Sequence, residues 1–167
     1  MMQSQQQRIS TDNLESNFRE VNPGLSPKAA IEEANRCLYC YDAPCIKACP
    51  TGINIPSFIK KIASGNLKGS ARVIMEANPV GASCARVCPT EELCEGACVL
   101  NDASTPIMIG DLQRVATDWA IHNQQQLFQP GEYNGKNVAV VGGGPAGLSA
   151  AGAFARLGYT APTFGAK

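Results

Sequence analysis

Eight cysteines, all between residues 37 and 98, are the residues of this 167-residue chain whose type and spacing could do chemistry. They form two segments, Cys37-x2-Cys40-x4-Cys45-x3-Cys49-Pro50 and Cys84-x3-Cys88-Pro89-x4-Cys94-x3-Cys98. The end of the first segment, CIKACPT, is echoed by CARVCPT in the second. Thiolates at such close spacing bind soft metals or iron–sulfur clusters, because a short loop can aim several sulfurs inward.

Disulfides are the first alternative to metal binding, and the compartment argues against them. The polar start MMQSQQQRIS lacks the apolar stretch of a secretory signal. No apolar run approaches the ~20 residues that span a bilayer. We therefore expect a cytoplasmic protein, in which thiols stay reduced. The formal net charge of zero argues against nucleic acid or an anionic membrane as the main partner.

Zinc is the second alternative, since eight cysteines could form two zinc sites. Zinc sites usually repeat tight C-x2-C pairs, and here only the pair Cys37 and Cys40 fits. In two-cluster ferredoxins, three cysteines of a run hold one cluster and the fourth, followed by proline, holds the other. That pattern predicts that Cys45 joins Cys37 and Cys40 at one cluster and that Cys49 crosses to a second.

Helices are the elements predicted to position these cysteines. Ser26 as N-cap and Pro27 at the first helical position predict a helix that leads directly into Cys37. Apolar periodicity predicts further helices over 56–63, 67–77 and, as the longest, about 106–125. The stretches from 37 to 52 and from 84 to 100 are aperiodic and indicate loops that carry the ligands. No strand is predicted before residue 137, so we expect an all-α cluster-binding domain.

A glycine-rich turn follows that domain. The apolar run 137–141 enters Gly142-Gly-Gly144-Pro145-Ala146-Gly147, and an Ala-rich helix is predicted after it. Strand, G-x-G-x-x-G and helix together are typical of dinucleotide binding. We expect Gly142 to make the tight turn, Gly144 to let the backbone approach a pyrophosphate, and Gly147 to allow close helix–strand packing. Pro145 and Ala146 complete the phosphate-binding turn at the positive N-terminus of the helix.

Three motifs, in order and at matching spacing, resemble a known module. They are Cys37-Leu-Tyr-Cys40-Tyr-Asp-Ala-Pro44-Cys45, Asn78-Pro79-Val80-Gly81-x2-Cys84-x3-Cys88-Pro89-Thr90 and Pro106-Ile107-x-Ile109-Gly110-x-Leu112-Gln113. The chain is similar to the N-terminal α-helical ferredoxin domain shared by dihydropyrimidine dehydrogenase and the glutamate synthase small subunit. The likeness is greatest to bacterial NAD-dependent dihydropyrimidine dehydrogenase-type subunits.

This resemblance implies two 4Fe-4S clusters with interleaved ligands. The first set implied is Cys37, Cys40, Cys45 and Cys98. The second set implied is Cys49, Cys88, Cys94 and, in place of a fourth cysteine, Gln113. Cys84 would then be a buried non-ligand, although the residues alone would have given Cys84 a cluster and left Gln113 on a helix surface. The resemblance favours Gln113, and Cys84 remains the alternative.

The expected nucleotide-binding unit is incomplete. After Leu157, the next strand should be apolar and end in an acidic residue about 20 residues beyond the glycines. The sequence instead has Pro162, which we expect to break a central strand, and Gly165 at the acidic position. We therefore expect a truncated or frameshifted chain, or a fragment of a longer gene product, that does not bind FAD tightly by itself.

Taken together, the sequence predicts an all-α, ferredoxin-like domain with two clusters, followed by an incomplete α/β (Rossmann-type βαβ) start. The predicted organisation is a flexible arm (1–25), the double-cluster domain (26–125), a linker (126–136) and a truncated FAD/NAD(P)-binding segment (137–167). The predicted function is electron transfer between flavin and a catalytic partner subunit that reduces a pyrimidine or completes glutamate synthesis. The rivals are a cluster-stabilised docking module and a zinc-binding helical domain. No residue is identified as a catalytic acid, base or nucleophile.

Overall fold

The computed structural model describes residues 10–18 and 20–165 and is mostly helical, with one small parallel sheet. Its helices and strands are, in chain order, α1 (Thr11–Asn17), α2 (Pro27–Ala34), α3 (Pro44–Ala48), α4 (Ile55–Ala63), α5 (Leu67–Ala77), α6 (Gly81–Val87), α7 (Ile109–His122), β1 (Val140–Val141), α8 (Pro145–Arg156) and β2 (Thr163–Phe164). A single 3-10 turn, Val99–Asp102, precedes α7. Over these described ranges, none of the helices has the length and apolar character needed to cross a membrane.

The hydrophobic core lies where α2, α4, α5 and α7 meet. Its largest members are at most 1% exposed: Phe58, Ile59, Ile62, Ile74 and Leu112. Each such side chain contributes roughly 1.5–3 kcal/mol by leaving water. Ser70 of α5 is also fully buried, and its hydroxyl donates to the carbonyl oxygen of Phe58 at 3.0 Å. This bond satisfies the hydroxyl inside the core and fixes α5 against α4.

Side-chain caps explain where three of the helices begin. The Ser26 hydroxyl accepts from the amide of Ala29 at 3.3 Å, as the capping pattern predicts for α2. Asn54 caps α4, which therefore begins one residue earlier than its proline suggested. Asn66 caps α5, whose predicted range of 67–77 is confirmed.

The structure differs from the helix prediction at three places. α7 begins at Ile109 rather than Pro106, and the amide of Met108, its N-cap residue, donates to the carboxylate of Glu33 at 3.0 Å. The helices α3 and α6 lie within or across the stretches predicted as ligand loops. Both are too short, at five and seven residues, for apolar periodicity to reveal them.

Two residues shortly before α2, Glu20 and Asn22, contact α7. The guanidinium of Arg114 on α7 donates to the carbonyl oxygen of Asn22 at 2.6 Å and pairs with the carboxylate of Glu20. Arg114 is 8% exposed, so a nearly buried cation needs these partners. Composition alone cannot show this contact, since it joins residues far apart in sequence. Residues 1–9 and 19 of the predicted arm lie outside the described residues.

The glycine-rich end forms a β–α–β unit in which β1 and β2 pair in parallel, with Val140 opposite Thr163. Pro162 does not prevent this pairing, contrary to expectation. Its carbonyl oxygen still accepts from the amide of Val140 at 2.9 Å, and β2 begins immediately after it. Proline removes only the donor of a residue, so a strand can start beside it.

Phe128, in the stretch predicted as a linker, contacts both the helical core and α8. The Phe128 ring lies under two guanidinium groups, Arg72 of α5 at 5.4 Å and Arg156 of α8 at 4.6 Å. Arg156 also pairs with Glu76 of α5 at 3.4 Å. Such cation–π contacts are worth about 0.5–1 kcal/mol each at exposed positions. Phe128 thereby connects the helical core to α8.

Candidate metal centres

Four thiols from both cysteine segments surround one cavity. Its cysteines are Cys37, Cys40, Cys45 and Cys98. The first three come from the chain between α2 and α3 and from the start of α3, whereas Cys98 lies just before the 3-10 turn. Apolar side chains of α4 and α7, among them Ile59 and Ile109, complete the wall. The set brought together is the first set implied by the resemblance.

Backbone curvature explains how the first segment places three sulfurs at one cavity. Tyr39 and Ala43 have φ of +53° and +35°, in the left-handed region that side-chain-bearing residues rarely adopt. The Tyr39 hydroxyl donates to the carbonyl oxygen of Ala34 at 3.4 Å, and the Lys60 ammonium lies 5.6 Å from its ring. Pro44 then starts α3 with its fixed φ. These contacts stabilise a strained loop that turns repeatedly toward the cavity.

The thiols at the first cavity influence one another's pKa. Burial raises the pKa of the Cys45 thiol to about 11, and the charges of Cys37 and Cys98 add to the increase. Burial likewise raises the pKa of Cys37, with smaller contributions from Cys40 and Cys98. Thiolates forced together in a partly buried site repel each other, and a bound cation or cluster relieves that repulsion.

A second cavity collects the remaining thiols and two side-chain amides. These residues are Cys49, Cys84, Cys88, Cys94, Asn78 and Gln113. Gln113 is 8% exposed, and its Nε2 donates to the carbonyl oxygen of Gly81 at 2.7 Å. That bond fixes the amide between α7 and α6. The side chain of Gln113 is therefore buried at the second cavity, and not on the helix surface where residue type alone would place it.

Cys84 also lies at this second cavity and is half-buried rather than buried. Its sulfur accepts from Nδ2 of Asn78 at 3.1 Å. Asn78, at 5% exposure, was not identified from the sequence as a site residue, although Asn78-Pro79 belongs to one of the matching motifs. A neutral thiol held by an amide N–H has a satisfied partner without a metal.

Two thiols at the second cavity, Cys49 and Cys94, have pKa values shifted in opposite directions. Burial alone would raise the pKa of Cys49, but hydrogen bonds from the Thr51 hydroxyl and from nearby backbone amides outweigh it and lower the pKa. Burial raises the pKa of Cys94 to about 12, and the charges of Glu95, Cys49 and Cys88 add to it. Cys49 is thus better prepared than Cys88 or Cys94 to be a thiolate, because donors already point at its sulfur.

The two cavities are neighbours. Ile55, 2% exposed at the start of α4, lines both of them. The first turn of α7 is shared in the same way, with Ile109 on one cavity and Gly110 on the other. One isoleucine side chain and one helical turn therefore separate the two sets of thiols.

The turn between Cys94 and Cys98 sends these two cysteines to different cavities instead of stacking them on a helix. Gly96 makes the turn possible, because a Cβ there would overlap the carbonyl oxygen of Glu91. The close approach of the backbone therefore explains the glycine.

Substituting Gly96 by alanine is expected to destabilise the protein by about 1–3 kcal/mol, the usual cost of overpacking. The measurement is the free energy of unfolding in denaturant. Gly152→Ala is the matched control, since a Cβ at Gly152 meets no heavy atom within 4 Å and lies in the helix α8. Equal unfolding free energies for the two variants would contradict this account.

The donor set fits iron–sulfur clusters. All eight cysteines are free thiols, and they surround two cavities with apolar walls. Within residues 10–18 and 20–165, no three or more His, Cys, Asp or Glu side chains are grouped closely enough to hold a single metal ion. Thiolates spread around a cavity suit a multi-iron core, whose irons each take their own ligand.

The glycine-rich turn has part of its expected geometry. Gly142 has φ of +119°, a conformation that favours glycine. A Cβ at Gly147 would overlap the carbonyl oxygen of Gly142, so Gly147 allows the close helix–strand packing predicted for it. Gly144 is the N-cap of α8, where a Cβ would meet open space, and Pro145 and Ala146 form the first turn of α8.

Comparison with known proteins agrees with this chemistry. The family model described as "dihydropyrimidine dehydrogenase domain II, 4Fe-4S cluster" matches residues 14–125. The chain is 47% identical over 140 residues to the NAD-dependent dihydropyrimidine dehydrogenase subunit PreT of Salmonella typhimurium, and 45% identical to that of Escherichia coli K12. Each match covers 84% of this chain and 34% of the relative. The chain therefore spans about a third of the length of the curated relatives it matches.

Proposed function

Since the chain belongs to the dihydropyrimidine dehydrogenase domain II, 4Fe-4S cluster family, we propose that it relays electrons through two such clusters in an oxidoreductase of this type. The observation that carries the proposal is the meeting of thiols from both segments at two adjacent cavities. Two sites separated by Ile55 suit the passage of electrons from one cluster to the other. When bound, the clusters would supply the one-electron chemistry.

The proposed ligands are interleaved. The first site uses the four cysteines of the first cavity: Cys37, Cys40, Cys45 and Cys98. The second site uses three cysteines and an amide: Cys49, Cys88, Cys94 and Gln113. The protein residues hold these donors, and the apolar walls limit the access of water. N–H and O–H donors at the Cys49 sulfur reduce its negative charge, which favours the reduced cluster.

The proposal also assigns the fourth ligand of the second site to Gln113 rather than Cys84. Because the Nε2 of Gln113 is committed to Gly81, the other amide atom, Oε1, is the one available to the cavity. Cys84 has its own partner in Asn78. An amide oxygen leaves the cluster one negative charge smaller than a fourth thiolate would, which should raise its potential.

Alanine at Gln113 is expected to remove the second cluster or to change its EPR signal, whereas alanine at Cys84 is expected to leave that signal in place. The reason is that only Gln113 would lose an iron ligand. Iron content and EPR of both variants, purified without oxygen, provide the comparison. The opposite pattern, a cluster lost with Cys84→Ala and retained with Gln113→Ala, would assign the fourth ligand to Cys84.

We further propose that the whole oxidoreductase uses a flavin, a nicotinamide cofactor and a partner that accepts the electrons. The parallel β–α–β unit with Gly142 and Gly147 supports a dinucleotide-binding role for the segment 137–167. The relatives are named as subunits of an NAD-dependent dehydrogenase, which supports a catalytic partner subunit that accepts the electrons. Pyrimidine reduction is the activity that those names suggest.

Iron and acid-labile sulfide analysis of the anaerobically purified protein tests the proposed function. Two clusters correspond to about eight irons and about eight sulfides per chain. Zinc without iron or sulfide would instead indicate a zinc-binding helical domain. Clusters that no physiological reductant can reduce in a redox titration would replace electron transfer with a docking role.

A further inference from the structure

Glu95 lies in the turn between Cys94 and Cys98. It follows Cys94, which lies at the second cavity, and precedes Cys98, which lies at the first. Its Oε1 accepts from the backbone amide of Gly110 at 2.8 Å, in the first turn of α7. A Cβ at Gly110 would lie 3.5 Å from that same oxygen, so the carboxylate sits closely against the helix start.

This position suits a carboxylate oxygen as a hydrogen-bond acceptor. The first turn of a helix carries unsatisfied N–H groups and a partial positive charge, which stabilise an anion. Glu33 makes a similar contact at Met108, but its charge is balanced by Arg36 at 2.7 Å. No such balance is seen for Glu95, since no salt bridge in the described part of the chain includes it.

The carboxylate of Glu95 is held at the second site. It accepts from the amide of Gly110, which lines the second cavity, and Glu95 directly follows Cys94, which lines the same cavity. A negative charge fixed beside a cluster opposes the addition of an electron to it.

We propose that Glu95 tunes the second cluster: its carboxylate, fixed on the amide of Gly110, lowers the reduction potential of that cluster relative to the first. The inference rests on the proposed function, because it requires a cluster held by Cys49, Cys88 and Cys94. Glu95 is a positioning and electrostatic residue and not a ligand. It offsets part of the rise in potential expected from an amide ligand at Gln113.

The test is a redox titration of each cluster, followed by EPR, in the Glu95→Gln variant. The glutamine keeps a carbonyl oxygen that can accept from Gly110 but removes the charge, so iron content and unfolding temperature should stay at wild-type values. The potential of the second cluster should move to a more positive value, and that of the first should move less. Glu92→Gln is the matched control, because Glu92 is exposed and the change in net charge is identical.

Glu95→Asp keeps the charge, and we expect it to retain a potential close to that of the wild type. Three results would overturn the inference: an unchanged second potential in Glu95→Gln, a shift no larger than that of Glu92→Gln, or loss of the second cluster from Glu95→Gln. The last result would make Glu95 a structural cap alone. Failure of the proposed function itself is separate, since it would appear as absent iron and sulfide in the wild-type protein.

Discussion

Alanine at Cys98 is expected to reduce the iron content from about eight to about four per chain, by removing one 4Fe-4S cluster. The cluster lost should be the one at Cys37, Cys40 and Cys45, although Cys98 is more than fifty residues away from them in the sequence. The reason is that only three sulfurs would remain around the first cavity. Iron and sulfide analysis with EPR of the reduced protein measures the loss.

Comparison among variants identifies the cluster that disappears. Cys40→Ala should remove the same EPR signal as Cys98→Ala, and Cys88→Ala should remove the other one. Cys94→Ala is the sharpest control, because Cys94 is only three residues from Cys98 but lies at the second cavity. Loss of one common signal from Cys94→Ala and Cys98→Ala would refute the interleaved arrangement and favour one cluster per cysteine segment.

Removal of iron with a chelator is expected to unfold the region from α2 to α7. Each proposed cluster joins the two cysteine segments, so its loss releases both and exposes the apolar walls of the cavities. Domains of this size are stable by about 5–15 kcal/mol. A structural metal can contribute about 10–16 kcal/mol to the folding of small domains. Loss of the far-UV circular dichroism of helices, together with the thermal transition, provides the measurement.

Reconstitution with iron and sulfide under anaerobic conditions is the control for this experiment, and it should restore the helical signal. Zinc added alone should not restore it if the sites require clusters. A cluster-free protein that retains its helical signal and its cooperative thermal transition would contradict the prediction. In that case the packing of α4, α5 and α7 alone would be sufficient for folding.

Local signals in the sequence were sufficient for several helices and insufficient for others. Ser26 with Pro27 predicts α2, and apolar spacing predicts α5, because caps and apolar spacing are local properties. The helices α3 and α6 are shorter than two turns, so their sequences show no period. Glu33, which contacts the start of α7, lies 75 residues before Met108, and no local pattern reveals such a contact.

The grouping of the thiols could not be derived from spacing alone. The echo of CIKACPT in CARVCPT is equally compatible with two sets taken in chain order and with two interleaved sets. The family resemblance supplied the interleaved version, and the structure brings together the residues of each implied set. The choice between Gln113 and Cys84 remains a prediction, because both line the second cavity.

The contacts of the Phe128 ring with Arg72 and Arg156 have a consequence for the rate of the proposed electron transfer. A flexible tether would let the β–α–β unit diffuse relative to the helical core, and electron transfer would then wait for productive encounters. The contacts of Phe128, worth about 0.5–1 kcal/mol each, would restrict that motion. We therefore expect the rate of transfer to depend less on solvent viscosity than it would with a flexible tether.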